Sequence, residues 1–379
     1  MSPPAISAPP ASSGAGTAAD AAPPDPATGV KGRLASRKGL ALACAVLFVV
    51  LLASVVVAIG LGAAVITPGE TARYVWAAVS GGRIAADEVT TYQIIWQIRT
   101  PRVLLAALVG AGLSAIGVAI QAMVRNALAD PFVLGVSSGA SVGAVGVTVT
   151  GGLAALGVYA VSAGAFLGAL VASLLVYAAS SSRGALSPLR LVLTGVAMSL
   201  GFQAVMSLII YFAPDSEATS MVLYWTMGSF GAASWGALPV VSAVVVLGLV
   251  VLYRYGRALD VLALGDETAA SLGVNPDRHR KALLVLASLV TGVMVAVSGA
   301  IAFVGLVMPH LVRMVVGATH ARVLAVAPLA GAIFMVWVDL VSRTLVAPRE
   351  LPLGVITALV GVPVFITLMR RKGYMFGGR

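Results

Sequence analysis

The chain has 379 residues, of which 59% are hydrophobic and only 10% charged, and its mean hydropathy is +1.01. Soluble domains carry about 25% charged residues, so this composition excludes a water-soluble globular protein and points to an integral membrane protein. The net charge of +10 lies between apolar blocks and at the C-terminus, without the continuous basic face that nucleic-acid binding demands. The single cysteine, Cys44, excludes an intrachain disulfide and any Cys-x-x-Cys metal or redox site.

The first thirty-odd residues contain Pro3, Pro4, Pro9, Pro10, Pro23, Pro24 and Pro26 among Ala, Ser and Gly. Such a segment cannot bury enough apolar surface to fold, so a disordered tail is expected. The basic cluster Lys31, Arg33, Arg37 and Lys38 comes next, followed by an apolar run at 40–66. That run is about twice the core of a signal peptide, so it reads as a first transmembrane helix.

A span needs roughly 20 apolar residues. On that rule spans fall near 40–66, 103–124, 132–150, 153–179, 189–212, 237–253, 282–302, 303–317, 323–342 and 352–369. The third and eighth are short and lie beside Pro131 and Pro309; the Pro309 break and the length divide the seventh from the eighth. The expected fold class is therefore an all-α polytopic membrane protein of about ten transmembrane helices, with short interrupted helices. An even count puts both termini on one side. Eighteen of the 24 Lys and Arg residues then share that side, against Arg73, Arg83, Arg99, Arg102, Arg343 and Arg349 on the other. The positive-inside rule makes the termini cytoplasmic, in a plasma or inner membrane.

Residues 99–146 organise the rest. An Arg99-x-x-Arg102 entry leads into an apolar helix, a polar interruption from Gln121 to Pro131, and a ladder of Gly135, Gly139 and Gly143 with Ser137, Ser138 and Ser141 between. Glycine at every fourth position flattens one helix face, which serves helix packing in lipid where a neighbour comes very close. Backbone broken at membrane depth must sit inside protein or against water, and broken helices usually line a route across the bilayer. The second half echoes the first weakly. Gly117-Val-Ala-Ile precedes the break at Pro131 and Gly299-Ala-Ile-Ala precedes the break at Pro309, in spans of opposite direction. That is the pattern of an inverted repeat.

The loop 254–281 contains Leu264-Gly-Asp-Glu-Thr-Ala-Ala-Ser-Leu-Gly-Val-Asn-Pro. Asp266 is a good N-cap, Glu267 adds negative charge at the positive helix end, and Gly273 and Pro276 suit a stop. The spacing predicts a two-turn helix at 268–272. So short a helix is either a plain surface element or a knob that docks in a partner's groove.

At these residues the chain resembles the permease subunits of type II ABC importers, the family that carries ferric siderophores, haem and cobalamin. The matching pieces are Arg99-Thr-Pro-Arg, Gln121 with Arg125-Asn-Ala-Leu-Ala-Asp-Pro, Gly135-Val-Ser-Ser-Gly-Ala and Gly265-Asp-Glu-Thr-Ala-Ala-Ser-Leu-Gly-Val. They continue with Gly299-Ala-Ile-Ala-Phe-Val-Gly-Leu-Val-Met-Pro-His-Leu-Val-Arg, Asp339-Leu-Val-Ser-Arg, Glu350-Leu-Pro-Leu-Gly-Val-Ile-Thr and Gly361-Val-Pro-Val-Phe. Ala127 departs from the pattern, where the family often has proline. The expected organisation is a disordered cytoplasmic tail at 1–38, which lies outside the family pattern, a transmembrane permease domain at 39–372 with a coupling loop at 254–281, and a cytoplasmic tail at 373–379. The resemblance implies a homodimer or close heterodimer with a path along its interface, two cytoplasmic ATPase subunits that bind ATP and Mg, and an extracytoplasmic binding protein. No cofactor is expected on this chain itself. Gly265, Asp266, Glu267, Ala269, Ala270, Leu272 and Gly273 carry over as ATPase-coupling residues, and Arg99, Arg102 and Arg343 as contacts to the binding protein.

Those arginines have a plainer reading, snorkelling to headgroups. Asp339 also stands four residues before Arg343, the spacing of a helical ion pair. Thr194, Met198, Ser199, Gln203 and Met206 in the fifth span either line a pathway or satisfy helix–helix contacts. Asn126 and Asp130 are expected to close a turn. His279, His310 and His320 are too scattered for a metal site. Gly135-Val-Ser-Ser-Gly matches a serine-nucleophile pattern with His310 as its conceivable base, but no strand precedes it. Gly110-Ala-Gly-Leu-Ser-Ala lacks the βαβ setting of a dinucleotide site. No Gly-Lys dipeptide exists for a phosphate loop, so the chain does not hydrolyse ATP by that route. An ion-coupled secondary transporter, the other transport class, needs buried carboxylates in its spans. Only Asp339 offers itself.

Overall fold

The computed structural model describes residues 36–62, 66–182, 185–213 and 216–370. The expected C-terminal tail and all but the last residues of the N-terminal tail lie outside these. In chain order the helices are α1 (Arg37–Gly60), α2 (Pro68–Ser80), α3 (Thr100–Met123), α4 (Val136–Thr150), α5 (Ala160–Ser180), α6 (Pro188–Tyr211) and α7 (Ser216–Thr226). They continue with α8 (Leu238–Ala263), α9 (Asp266–Ser271), α10 (Pro276–Ser298), α11 (Val304–Val316), α12 (His320–Thr344) and α13 (Leu353–Arg370). Eight are long and apolar enough to span a membrane, and α4 and α11 are shorter apolar helices. Together they account for the ten expected spans, and the fold is all-α and polytopic.

Local chemistry sets the boundaries. Ser36 Oγ accepts from Gly39 N at 3.0 Å and starts α1. At α2, Thr67 and Glu70 form a reciprocal capping box, with Pro68 in the first turn where its missing N–H costs nothing. This helix was readable as Thr-x-x-Glu and was not foreseen. Asn275 caps α10 through Arg278 N at 3.0 Å, and Pro276 opens that helix. Pro276 is thus a start, not the stop expected for the preceding segment. Helices α8 and α10 run further than their apolar stretches, so the loop between them shrinks to 264–275.

The second break also moves. Main-chain helicity stops at Gly299 (φ 66°) and resumes after Phe303 (φ 70°), while Pro309 lies inside α11. A mid-helix proline leaves the carbonyl four residues back without its N–H donor. Here that carbonyl, Gly305 O, receives Gln121 Nε2 from α3 at 3.4 Å, and Leu306 O receives the same nitrogen at 3.1 Å. An inward amide replaces the lost donor, so the helix does not need to end.

Helix α3 is the centre of the bundle and packs against α8, α10, α11 and α12. Its crossings are glycine on glycine. A β-carbon on Gly117 would lie 1.9 Å from Gly305 O, and one on Gly110 would lie 2.2 Å from Gly331 O. The expected ladder is used on α5 instead. Gly143 would meet Gly164 O at 2.0 Å, and Gly139 would meet Gly168 O at 2.6 Å. Gly135 does not belong to that face: at φ 74° it turns the chain between the Pro131–Leu134 turn and α4. Where lipid supplies no hydrophobic drive, such backbone contact is what holds helices together.

Candidate functional site

Two polar clusters lie at opposite ends of the bundle. The first is the α9 segment, beside Arg125 and Arg280. Gly265 has φ 111°, a conformation glycine adopts without strain, and it precedes Asp266, the first helical residue. Asp266 is therefore not the N-cap. Its carboxylate turns inward to Arg280, with Nη1 to Oδ2 at 2.9 Å and Nη2 on Oδ1. That bond holds the Asp266 carboxyl below the usual carboxylate range. Gly273 takes φ 80° after the helix, the left-handed stop read from the sequence. Of the seven coupling candidates, Gly265 and Ala269 are buried against the bundle, and Glu267, Ala270, Leu272 and Gly273 face outward. Leu272 is 60% exposed, an apolar side chain offered at the tip of a six-residue helix.

The second cluster brings Arg99, Arg102 and Arg343 together. Arg102 Nε lies 2.7 Å from Asp339 Oδ1, and its two Nη atoms meet the Glu350 carboxylate at 2.7 and 3.0 Å. Arg343 Nε reaches Asp339 Oδ2 at 3.1 Å, which is the expected i, i+4 pair. Its remaining donors go to Leu61 O at 2.7 Å and to Ala58 O, while Arg99 Nη1 goes to Ile59 O and Gly60 O at 3.1 and 2.8 Å. Helix α1 has no basic residue in its own last turn. Two arginines from other helices therefore satisfy its orphan carbonyls and its negative end. All three arginines are buried. Among the described residues, three guanidiniums stand against two carboxylates here. Glu350 was not singled out as a partner, although it lies in a quoted motif and sits opposite Arg102.

Helix α6 is the least buried of the eight long spans, with 6% of its apolar window covered. On it Gln203 is exposed, and Thr194, Met198, Ser199 and Met206 are half-buried. Ser199 Oγ has no hydrogen-bond partner among the described residues. Near the start of α6 a cavity of about 540 Å³ is lined by Gln121, Val124, Arg125, Asn126, Ser187 and Pro188. Asn126 Oδ1 accepts from Leu128 N and Asp130 Oδ1 from Phe132 N, both at 2.9 Å, so these two close the turn as expected. Asp130 also accepts from the backbones of Phe303 and Leu306, and its burial pushes its pKa up to about 6. The two helix breaks thus meet on one carboxylate. Ser137 is buried in α4, and its Oγ has no hydrogen-bond partner among the described residues.

The profile of the FecCD transport family matches residues 49–371, from within α1 to just past α13. The chain belongs to the FecCD transport family. Among relatives of this FecCD chain is the cobalamin import permease BtuC of Halobacterium salinarum. It is 41% identical over 283 residues, covering 75% of this chain and 75% of that protein. The hemin transport permease HmuU of Yersinia pestis is 41% identical over 282 residues, 73% of this chain and 84% of the relative. The uncharacterized ABC transporter permease YvrB of Bacillus subtilis is 39% identical over 329 residues, 86% and 92%. A solved metal-chelate type ABC transporter, described in an inward-facing conformation, superposes with a TM-score of 0.74 at 32% identity. It covers 86% of this chain and 98% of the other. The FecCD chain is accordingly a multi-pass membrane protein similar along most of its length to ABC permeases.

Proposed function

We propose that this chain is the membrane-spanning permease subunit of an ABC importer. On this reading an extracytoplasmic binding protein delivers an iron chelate, ferric siderophore foremost, with haem and cobalamin as the alternatives. Two cytoplasmic ATPase subunits, which hold ATP and Mg, drive the movement. A second copy or a close paralogue completes the path, both termini are cytoplasmic, and the chain resides in the cell membrane.

The observation that carries this reading is α9, a six-residue helix set between Gly265 and Gly273, whose Glu267 and Leu272 face away from the bundle. The likeness to cobalamin, hemin and iron-uptake permeases supports the cargo class. Docking of a binding protein at the opposite end rests on the family likeness, since Arg99, Arg102 and Arg343 are buried and bonded to Asp339, Glu350 and the carbonyls at the end of α1. The bare, partly polar face of α6 supports a path shared with a second copy, because lipid alone is a poor neighbour for Gln203.

In the proposed cycle, ATP closes the ATPase pair, α9 shifts with it, and the helices of the dimer tilt so that one mouth opens as the other shuts. A path with few charges suits a large chelate better than a bare ion. An ion-coupled transporter would draw on buried carboxylates, and both that stand out are engaged: Asp339 between Arg102 and Arg343, and Asp130 on the backbones of Phe132, Phe303 and Leu306. Affinity purification from native membranes tests the assembly. A companion with a Gly-x-x-x-x-Gly-Lys-Ser/Thr loop is expected to co-purify and to be lost from a Glu267→Arg, Leu272→Asp variant. Companion-free protein that still transports would favour the ion-coupled reading.

A further inference from the structure

Arg280 is the largest fully buried side chain of the described residues, 1% exposed, and it stands one turn into α10. Burying a guanidinium is costly unless its charge is paired and its donors are used. Here they are spread over three separate elements. Nη1 and Nη2 grip both oxygens of Asp266, the first residue of α9. Nε donates to Met123 O, at the last residue of α3, at 3.3 Å. Nη1 also donates to Leu186 O at 3.2 Å, two residues before α6 begins. Asp277, three residues earlier on α10, accepts Leu186 N at 3.0 Å, so both backbone groups of Leu186 are held by the start of α10. The ends of α3 and α6 tied in this way are two walls of the 540 Å³ cavity. Stability alone would be served as well by apolar residues of similar volume; what the ion pair adds is a fixed geometry between four helices.

We infer that Arg280 is the positioning residue that passes displacement of α9 to the facing ends of α3 and α6, and so sets the width of the cavity between them. This deepens the proposed function and rests on it. It also divides α9 by role: Asp266 points inward to Arg280, while Glu267 and Leu272 point outward. A planar guanidinium reaches a carboxylate and two carbonyls at once, and an ammonium cannot reproduce that fork. Arg280→Lys therefore keeps the charge and loses the linkage.

The test uses the full importer purified with its companion ATPase, in a Cys44→Ala background with spin labels at Asn126 and Leu189, both exposed. Distances are read by pulsed electron resonance at rest and after trapping with ATP, Mg and vanadate. The parent protein is expected to show a nucleotide-driven change in the 126–189 distance. Arg280→Lys is expected to keep the companion bound and its ATP hydrolysis within twofold, while the distance change falls at least fivefold. Asp277→Ala, milder and outside the ion pair, is expected to reduce the change at least twofold. If Arg280→Lys does not purify as a monodisperse protein, the Asp277→Ala result decides. A change of parental size in the variant overturns the inference. If no ATPase accompanies the parent, the proposed function fails first. The linkage is then read from the resting 126–189 distribution alone, which broadens in Arg280→Lys if the inference holds and stays parental if it does not.

Discussion

Asp339 has no solvent exposure and lies between two guanidiniums, Arg102 at 2.7 Å and Arg343 at 3.1 Å. Removing its charge leaves two buried cations facing each other, which costs roughly 3–5 kcal/mol when a buried pair loses one member. Asp339→Asn is expected to lower the thermal unfolding midpoint in detergent by that order and to free the end of α1. An unchanged midpoint would show that the cluster contributes nothing to the fold. Asp130 carries a different prediction. Its pKa stands at about 6 against an ordinary 3.8 because burial disfavours the charged form. The folded state thus binds the proton more tightly than the unfolded state. The stabilisation is complete below about pH 4 and is lost as pH rises through about 6. Unfolding midpoints from pH 4 to 7.5 should fall for the natural protein relative to Asp130→Asn, by up to about 3 kcal/mol. A pH-independent difference would remove the assignment.

At the scale of elements, the apolar runs sufficed to place all ten spans, because in lipid every backbone group must be satisfied within its own helix. The sequence was less informative where backbone is satisfied from outside. Pro309 read as a break, yet Gln121 reaches across from α3 and the helix continues. Asp266 read as a cap, yet Arg280 captures it from α10. In both cases the deciding donor sits on another helix, 184 residues from its acceptor for Gln121 and 14 for Arg280, beyond the reach of helical spacing. The glycine ladder was legible as a close-packing face, but its partner was not, since Gly164 and Gly168 on α5 look like any small residues in an apolar run. The packing itself is testable. Gly143→Ala, aimed at Gly164 O 2.0 Å away, is expected to cost about 1–3 kcal/mol. Gly146→Ala, one turn on with nothing within 4 Å, is expected to be neutral or to gain up to about 1 kcal/mol. Equal effects in the two variants would mean that α4 and α5 are not in backbone contact.

At the scale of the molecule, the bundle has a rigid middle and two loaded ends. Gly110 and Gly117 lock α3 to α12 and α11 by close backbone contact. One end presents α9 on a buried arginine, and the other ties α3 to α12 through ion pairs and α12 to α1 through arginine hydrogen bonds to its last carbonyls. Between them α6 is left bare along most of its length, the part of the molecule most in need of a neighbour. These features agree with the membership of the FecCD transport family and with the proposal that energy enters from a separate polypeptide at α9.

The measurement that bears most directly on this is uptake into proteoliposomes by the chain reconstituted with and without its companion ATPase and binding protein, using radiolabelled ferric siderophore, haemin and cobalamin in turn. Uptake of one of the three that requires ATP, requires both companions and disappears in the Glu267→Arg, Leu272→Asp variant is the expected result. Uptake by the chain alone, driven by an ion gradient and indifferent to that variant, would contradict the account.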